Sequence, residues 1–222
     1  MLLARAADLD TLLDAVGARH PAVAAHGRRV AAYAIRLATQ FGLALQAIDA
    51  IRTGALLHDI GKIHLPADIL LKPGRLTDRE WTEVQTHPEI GHALVDGMSL
   101  APGVREIVLY HHERHDGTGY PHRLSGPAID FEVRLVSVAD AFDALTSHRP
   151  YRAAVSVEVA RSVLAREAGS RFCPWAVSGF LSLPRELLQP AAHNRGMGYR
   201  PDGCPSPAAA FATRTWRATP AC

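Results

Sequence analysis

The sequence predicts an all-α fold, a single helical bundle of about seven or eight helices followed by a disordered C-terminal tail. Apolar residues recur at helical spacing through roughly the first 180 positions, and no segment alternates with the two-residue period of a strand. Helix start and stop signals, chiefly Pro, Thr and Gly, fall between these periodic stretches.

Taken in order, "HPAVAAHGRRVAAYAIRLATQFG" puts Val23, Val30, Ala34, Leu37 and Phe41 on one face and stops at Gly42, a C-terminal cap. "LQAIDAIRTGALLHDIGK" repeats the pattern with Ile48, Ile51 and Ala55 and is expected to end at Gly61. "TDREWTEVQTH" opens with Thr77 and Glu80 in capping-box register. Pro88 and Pro102 each start a further helix, because a proline in the first turn gives up no needed donor. "FEVRLVSVADAFDALTS" aligns Val133, Val136 and Asp140. Trp81, Tyr33 and Phe142 are expected in the core.

Three segments are expected: a lead-in at 1–19, the domain at 20–186 and a tail at 187–222, where the text turns to Pro, Gly and Ala without apolar periodicity. The chain has 222 residues, 48% of them hydrophobic, enough for one substantial core. Its net charge is +2, but Arg185 to Cys222 holds five arginines against two acids, which leaves the rest at −1. Such a surface does not coat a polyanion, so no nucleic-acid partner is expected. Cys173, Cys204 and Cys222 are widely spaced without a CxxC, so neither a disulfide framework nor a zinc cage is indicated. No stretch approaches the ~20 apolar residues of a membrane span, and the N-terminal apolar run, broken by Arg5 and Asp8, is too short for a signal peptide. The expected location is the cytoplasm. Of the 24 basic side chains only Lys62 and Lys72 are lysines, and Lys62 follows a His-Asp pair by three residues, which suggests a role beyond surface charge.

The apolar faces contain residues foreign to a core. His26 lies between Val23 and Val30, His58 follows Ala55 with Asp59 beside it, His111 and His112 follow Ile107, and Asp140 follows Val136. A single inward histidine is ordinarily a satisfied core residue. Several imidazoles and two carboxylates together would leave unpaired polar groups, at a cost of several kcal/mol, unless something satisfies them. A metal centre does so. The donors are all N and O, with no thiolate in reach, which suits Mn or Fe in open coordination. A carboxylate at a helix end can bridge two ions, and such a pair acidifies a shared water for phosphoester hydrolysis.

In this order, "HDIGK" (58–62), "THPEIG" (86–91), "HHERHDGTGYP" (111–121) and "VADAFDALTSHRPYR" (138–152) resemble the HD-GYP family, the branch of HD-domain phosphohydrolases that degrades cyclic di-GMP. The resemblance covers about residues 20–182. It implies a first ion held by His26, His58, Asp59 and Asp140, with Asp59 bridging to a second held by His87, His111 and His112. Both would be divalent, Fe or Mn. It further implies that Lys62 neutralises charge near the nucleophile and phosphate, and that Arg149 and Arg152 meet substrate phosphates. Gly119, Tyr120 and Pro121 would form the signature loop at the substrate entrance. That loop is also a docking surface in the family, so a diguanylate cyclase or other signalling partner is expected there, and a homodimer is compatible. Glu113, Arg114 and Asp116 are expected to brace it.

The implied reaction opens cyclic di-GMP to linear pGpG, with GMP as a further product. Two alternatives stand beside it: a non-catalytic module that senses the dinucleotide or docks a partner, and an HD hydrolase of another nucleotide such as a mixed cyclic dinucleotide. Some members hold a third metal through a glutamate four residues before the first-helix histidine, where this chain has Ala22. A two-metal site is therefore expected. The family's "FDP" is replaced here by "FCP" at Cys173, which leaves the last helix open. His20, His64, His92, His115, His122, His148 and His193 are expected to bind no metal.

Overall fold

The computed structural model describes residues 9–70, 72, 74–148 and 153–188. Arg149, Arg152, His193, Cys204, Cys222 and the tail from 189 onward lie outside the described residues. Within them the fold is all-α: ten α-helical segments, three short 3-10 turns and no strand.

The helices are α1 (Leu9–Arg19), α2 (Pro21–Gln40), α3 (Leu45–Leu57), α4 (Ala67–Leu70), α5 (Asp78–Val84), α6 (His87–Val95), α7 (Val104–Tyr110), α8 (Phe131–Thr146), α9 (Val157–Arg166) and α10 (Pro174–Ser182). The excess over seven or eight comes chiefly from α1 and the one-turn α4. The segment expected as a lead-in forms α1 because Leu9, Leu12, Leu13 and Val16 share a face. Leu12 and Val16 are buried among Ala50, Leu57, Ile60 and Val108. At the other end Leu188 is fully buried, so packing extends two residues past the expected boundary at 186.

Two start signals act as expected. Thr77 and Glu80 form the capping box of α5, and Pro88 sits in the first turn of α6. Gly42, at φ +67°, follows the end of α2 in the left-handed conformation that glycine adopts freely. Pro102 lies one residue outside its helix, since Gly103 occupies the N-cap of α7. The helix expected to run to Gly61 stops at Leu57: Asp59 turns off at φ −97° and the chain tightens into the 3-10 turn Ile60–His64. That turn packs so closely on α6 that a Cβ on Gly61 would lie 2.0 Å from the His87 carbonyl oxygen. Only glycine fits there. The last helix, left open by Cys173, forms as α10 and buries Ala176, Val177 and Phe180.

Two apolar clusters make up the interior. One joins α2, α8, α9 and α10 through Val30, Leu37, Val136, Phe142, Leu164 and Phe180. The other joins α1, α6 and the 3-10 turn through Leu12, Val16, Ile60, Ile63 and Val95. Helices α3 and α7 enter both, with Ile51 and Ile107 in the first and Leu57 and Val108 in the second. Their C-terminal ends deliver His58 and His111. Tyr33 and Phe142 are core residues as expected, their rings edge to face at 5.1 Å. No helix among the described residues is long and apolar enough to cross a membrane.

Phe142 is fully buried between the Tyr33 and Phe180 rings. Its replacement by Ala should cost about 3–5 kcal/mol in equilibrium urea unfolding. A cost below ~1 kcal/mol would show that α8 is not anchored by this contact.

Candidate metal centre

Helix ends position the imidazoles. The last carbonyls of an α-helix have no intrahelical partner, and three histidines each use one: Nδ1–H of His58 donates to Ala55 O at 2.8 Å, that of His87 to Val84 O at 2.6 Å, and that of His111 to Val108 O at 2.9 Å. Each bond sets the tautomer and aims the Nε2 lone pair away from the helix. His26, in mid-helix, has no free carbonyl nearby. Its Nδ1–H donates instead to Asp143 Oδ2 at 2.7 Å, while Arg29 grips the same carboxylate through Nε and Nη2 at 2.7 and 2.9 Å.

Offering one ring nitrogen or carboxylate oxygen each, the residues form two groups, in each of which the ligand atoms lie within 4.8 Å of one another: His26, His58 and Asp140, and Asp59, His87, His111 and His112. Asp59 faces both. Its Oδ2 is 3.8 Å from His26 Nε2 and 3.5 Å from His58 Nε2, whereas its Oδ1 is 3.2 Å from His87 Nε2 and 3.8 Å from His111 Nε2. Asp140 Oδ1 lies 3.0 Å from His26 Nε2. Lys62 Nζ donates to Asp59 Oδ2 at 2.6 Å.

Burial pulls the pKa of His58 and His111 down, so these rings are neutral. Burial and the neighbouring His87 lower His112 to about 3. Burial opposes ionisation of Asp59 and Asp140, but Lys62 and His58 around Asp59, and His26 around Asp140, hold both well below the ordinary carboxylate range. At His26 burial opposes the proton, yet bonds to Asp140 and Asp143 raise its pKa to about 9. Neutral imidazoles at His58, His111 and His112 and ionised carboxylates are the protonation states in which these groups bind cations, and His26, protonated at neutral pH, would release its Nε2 proton on binding one. Two buried atoms, His58 Nε2 and Asp59 Oδ1, have no aligned hydrogen-bond partner. An N/O set with orphaned lone pairs fits a divalent cation.

Above this cluster runs the 111–126 loop. The buried Glu113 carboxylate accepts the N–H groups of His122 and Leu124 at 2.7 and 3.1 Å, and Asp116 accepts from Thr118 and Arg114. These residues brace the loop as expected. Gly119 packs so tightly that a Cβ would lie within 2.6 Å of Arg114 N, Glu113 Cα and His112 O. Tyr120 follows, its ring 4.9 Å from that of His112. Neither metal-competent group contains His20, His64, His92, His115, His122 or His148. His115 ties the loop down by its backbone, its N–H donating to Arg171 O.

Trp81 departs from expectation. It is 48% exposed rather than in the core, because no residue of α5 is buried, and its ring meets Tyr120 edge to face at 6.5 Å. Asp143 and Arg29 were missed altogether. The signal was present, since Asp143 lies one turn after Asp140 and Arg29 one turn after His26.

A family model described as HD domain matches residues 10–174. The chain belongs to the HD-domain family. It is 41% identical over 184 residues to the cyclic di-GMP phosphodiesterase response regulator RpfG of Xanthomonas campestris, covering 82% of this chain and 48% of that protein. It is also 41% identical over 165 residues to 3'3'-cGAMP-specific phosphodiesterase 2 of Vibrio cholerae, covering 73% of this chain and 32% of the relative. The chain thus spans half or less of the length of these relatives. Among solved structures its fold is similar to an HDG"Y"P protein from Bdellovibrio bacteriovorus, with a TM-score of 0.64 at 21% identity over 81% of this chain and 65% of that one.

In this HD domain Asp143 holds one candidate ligand by its Nδ1. Asp143→Asn should weaken Mn(II) binding by ~10- to 100-fold, the usual effect of removing a carboxylate behind a ligating histidine. Calorimetric titration of the apoprotein measures it, and unchanged affinity would show that His26 needs no such support.

Proposed function

We propose that this HD domain is a metal-dependent phosphodiesterase that opens cyclic di-GMP to linear pGpG. The observation that carries the proposal is the placement of Asp59: one buried carboxylate whose two oxygens face two separate groups of imidazoles. Cyclic dinucleotide phosphodiesterases among the relatives support the substrate class.

In this reading His26, His58, Asp59 and Asp140 hold one divalent ion and Asp59, His87, His111 and His112 a second, with Fe or Mn proposed for both. When bound, such a pair supplies Lewis acidity and a water acid enough to ionise near neutral pH. The chain's own residues do the rest. The Nδ1 bonds of His58, His87 and His111 keep three imidazole lone pairs aimed inward, and the bond to Asp143 fixes the His26 ring, so the site is organised before substrate arrives. Lys62, 21% exposed at its side chain, is near enough to Asp59 to place an ammonium beside a phosphate and offset charge that grows as the diester is attacked. Arg149 and Arg152 are proposed as further phosphate contacts, and Gly119 to Pro121 as the entrance. Ala22, exposed one turn before His26, offers no donor for a third ion, which favours pGpG over GMP. A cytoplasmic location belongs to the same proposal. So do a cyclase or other signalling protein docking on the loop, and a homodimer.

A mixed cyclic dinucleotide is the second candidate substrate, favoured by the 41% identity to the Vibrio cholerae cGAMP-specific relative.

Protein purified anaerobically and loaded with Mn(II) or Fe(II) should convert cyclic di-GMP to pGpG, resolved by chromatography beside 3'3'-cGAMP. Asp59→Ala should lose more activity than the ~10- to 100-fold typical of losing a supporting carboxylate. Fully metallated wild type without product would end the enzyme proposal, and equal activity in the variant would end the site assignment. Lys62→Met should lower kcat by ~100- to 1,000-fold at unchanged metal content. A loss below ~10-fold would remove Lys62 from catalysis.

A further inference from the structure

Trp81 has no evident part in holding the fold. Its helix buries no residue, and the residue is 48% exposed to solvent. The helix is nonetheless placed with care. The Thr77–Glu80 capping box fixes its first turn, and Lys72 Nζ clamps both Glu80 carboxylate oxygens at 2.8 and 2.6 Å.

Ring contacts lead from the metal-competent cluster to this tryptophan. His87 and His112 lie 5.0 Å apart between centroids, His112 and Tyr120 4.9 Å, and Tyr120 and Trp81 6.5 Å. A phosphodiester seated at Asp59 carries each base one ribose away, and the ring contacts run outward from the cluster through Tyr120 to the exposed Trp81. An indole held edge to face with Tyr120 and about half exposed offers flat surface for stacking on a purine, a contact that works for any base because every base has a π-face.

We propose that Trp81, seated against Tyr120, is a substrate-binding residue that stacks on a purine base of the cyclic dinucleotide. The inference rests on the phosphodiesterase function proposed above and extends it to the base. Stacking does not read base edges, so Trp81 contributes affinity to cyclic di-GMP and to 3'3'-cGAMP alike.

The test is steady-state hydrolysis of both dinucleotides by Mn(II)-loaded wild type, Trp81→Ala and Trp81→Phe, with bound metal measured in each. Trp81→Ala should raise KM by ~5- to 100-fold for both substrates, with kcat and metal content unchanged, and Trp81→Phe should restore most of the loss. An unchanged KM in Trp81→Ala overturns the inference while leaving the phosphodiesterase intact. Loss of bound metal in step with the KM effect also overturns it, by making Trp81 a structural support. Absence of turnover in metallated wild type is a different failure, that of the function itself, and is read before any variant is compared.

Discussion

The burial of the Asp59 carboxylate between two sets of imidazoles is the constraint on which the rest of the structure depends. Its side chain is 6% exposed, and an ionised carboxylate at that depth is costly unless each oxygen meets positive charge or a donor. Lys62 compensates part of one side, and the remainder is left to whatever the histidines hold. Asp59 reaches this position because α3 stops at Leu57 and the backbone turns sharply into a 3-10 segment. The segment can lie against α6 only because residue 61 has no side chain.

Backbone economy explains where the imidazoles come from. Helix C-termini leave carbonyls free, and a histidine just past such an end satisfies one with Nδ1 while presenting Nε2 to its neighbours. His58, His87 and His111 all do this, on three separate chain segments. The free carbonyls also carry the negative end of the helix dipole, which favours a cation nearby. Because α3 and α7 are packed into both apolar clusters, the two histidines they deliver sit on elements anchored from two sides.

The rim follows different physics. The 111–126 loop is held by hydrogen bonds from backbone amides to Glu113 and Asp116, whereas α5 is held by a capping box and one ion pair, with no buried residue. The candidate metal centre is thus fixed by packing, whereas the helix beside it is held by its cap and one ion pair, so under the proposed function chemistry and base recognition would rest on separately anchored elements.

By itself the sequence determined the all-α class and most of the inward polar set. Helical periodicity decides which residues share a face, so His26, His58, His111 and Asp140 stood out among Val, Ile and Ala. His87 carried no such signal and was legible only through the motif around it. Periodicity does not say whether another element covers a face, and for that reason Trp81 was expected in the core and is found exposed on α5. Nor does it reveal a partner more than a hundred positions away, as Asp143 is to His26 and Arg29. Tertiary structure alone decided those pairings, the early end of α3 and the two-sided placement of Asp59, because each depends on contacts between helices that no local pattern encodes.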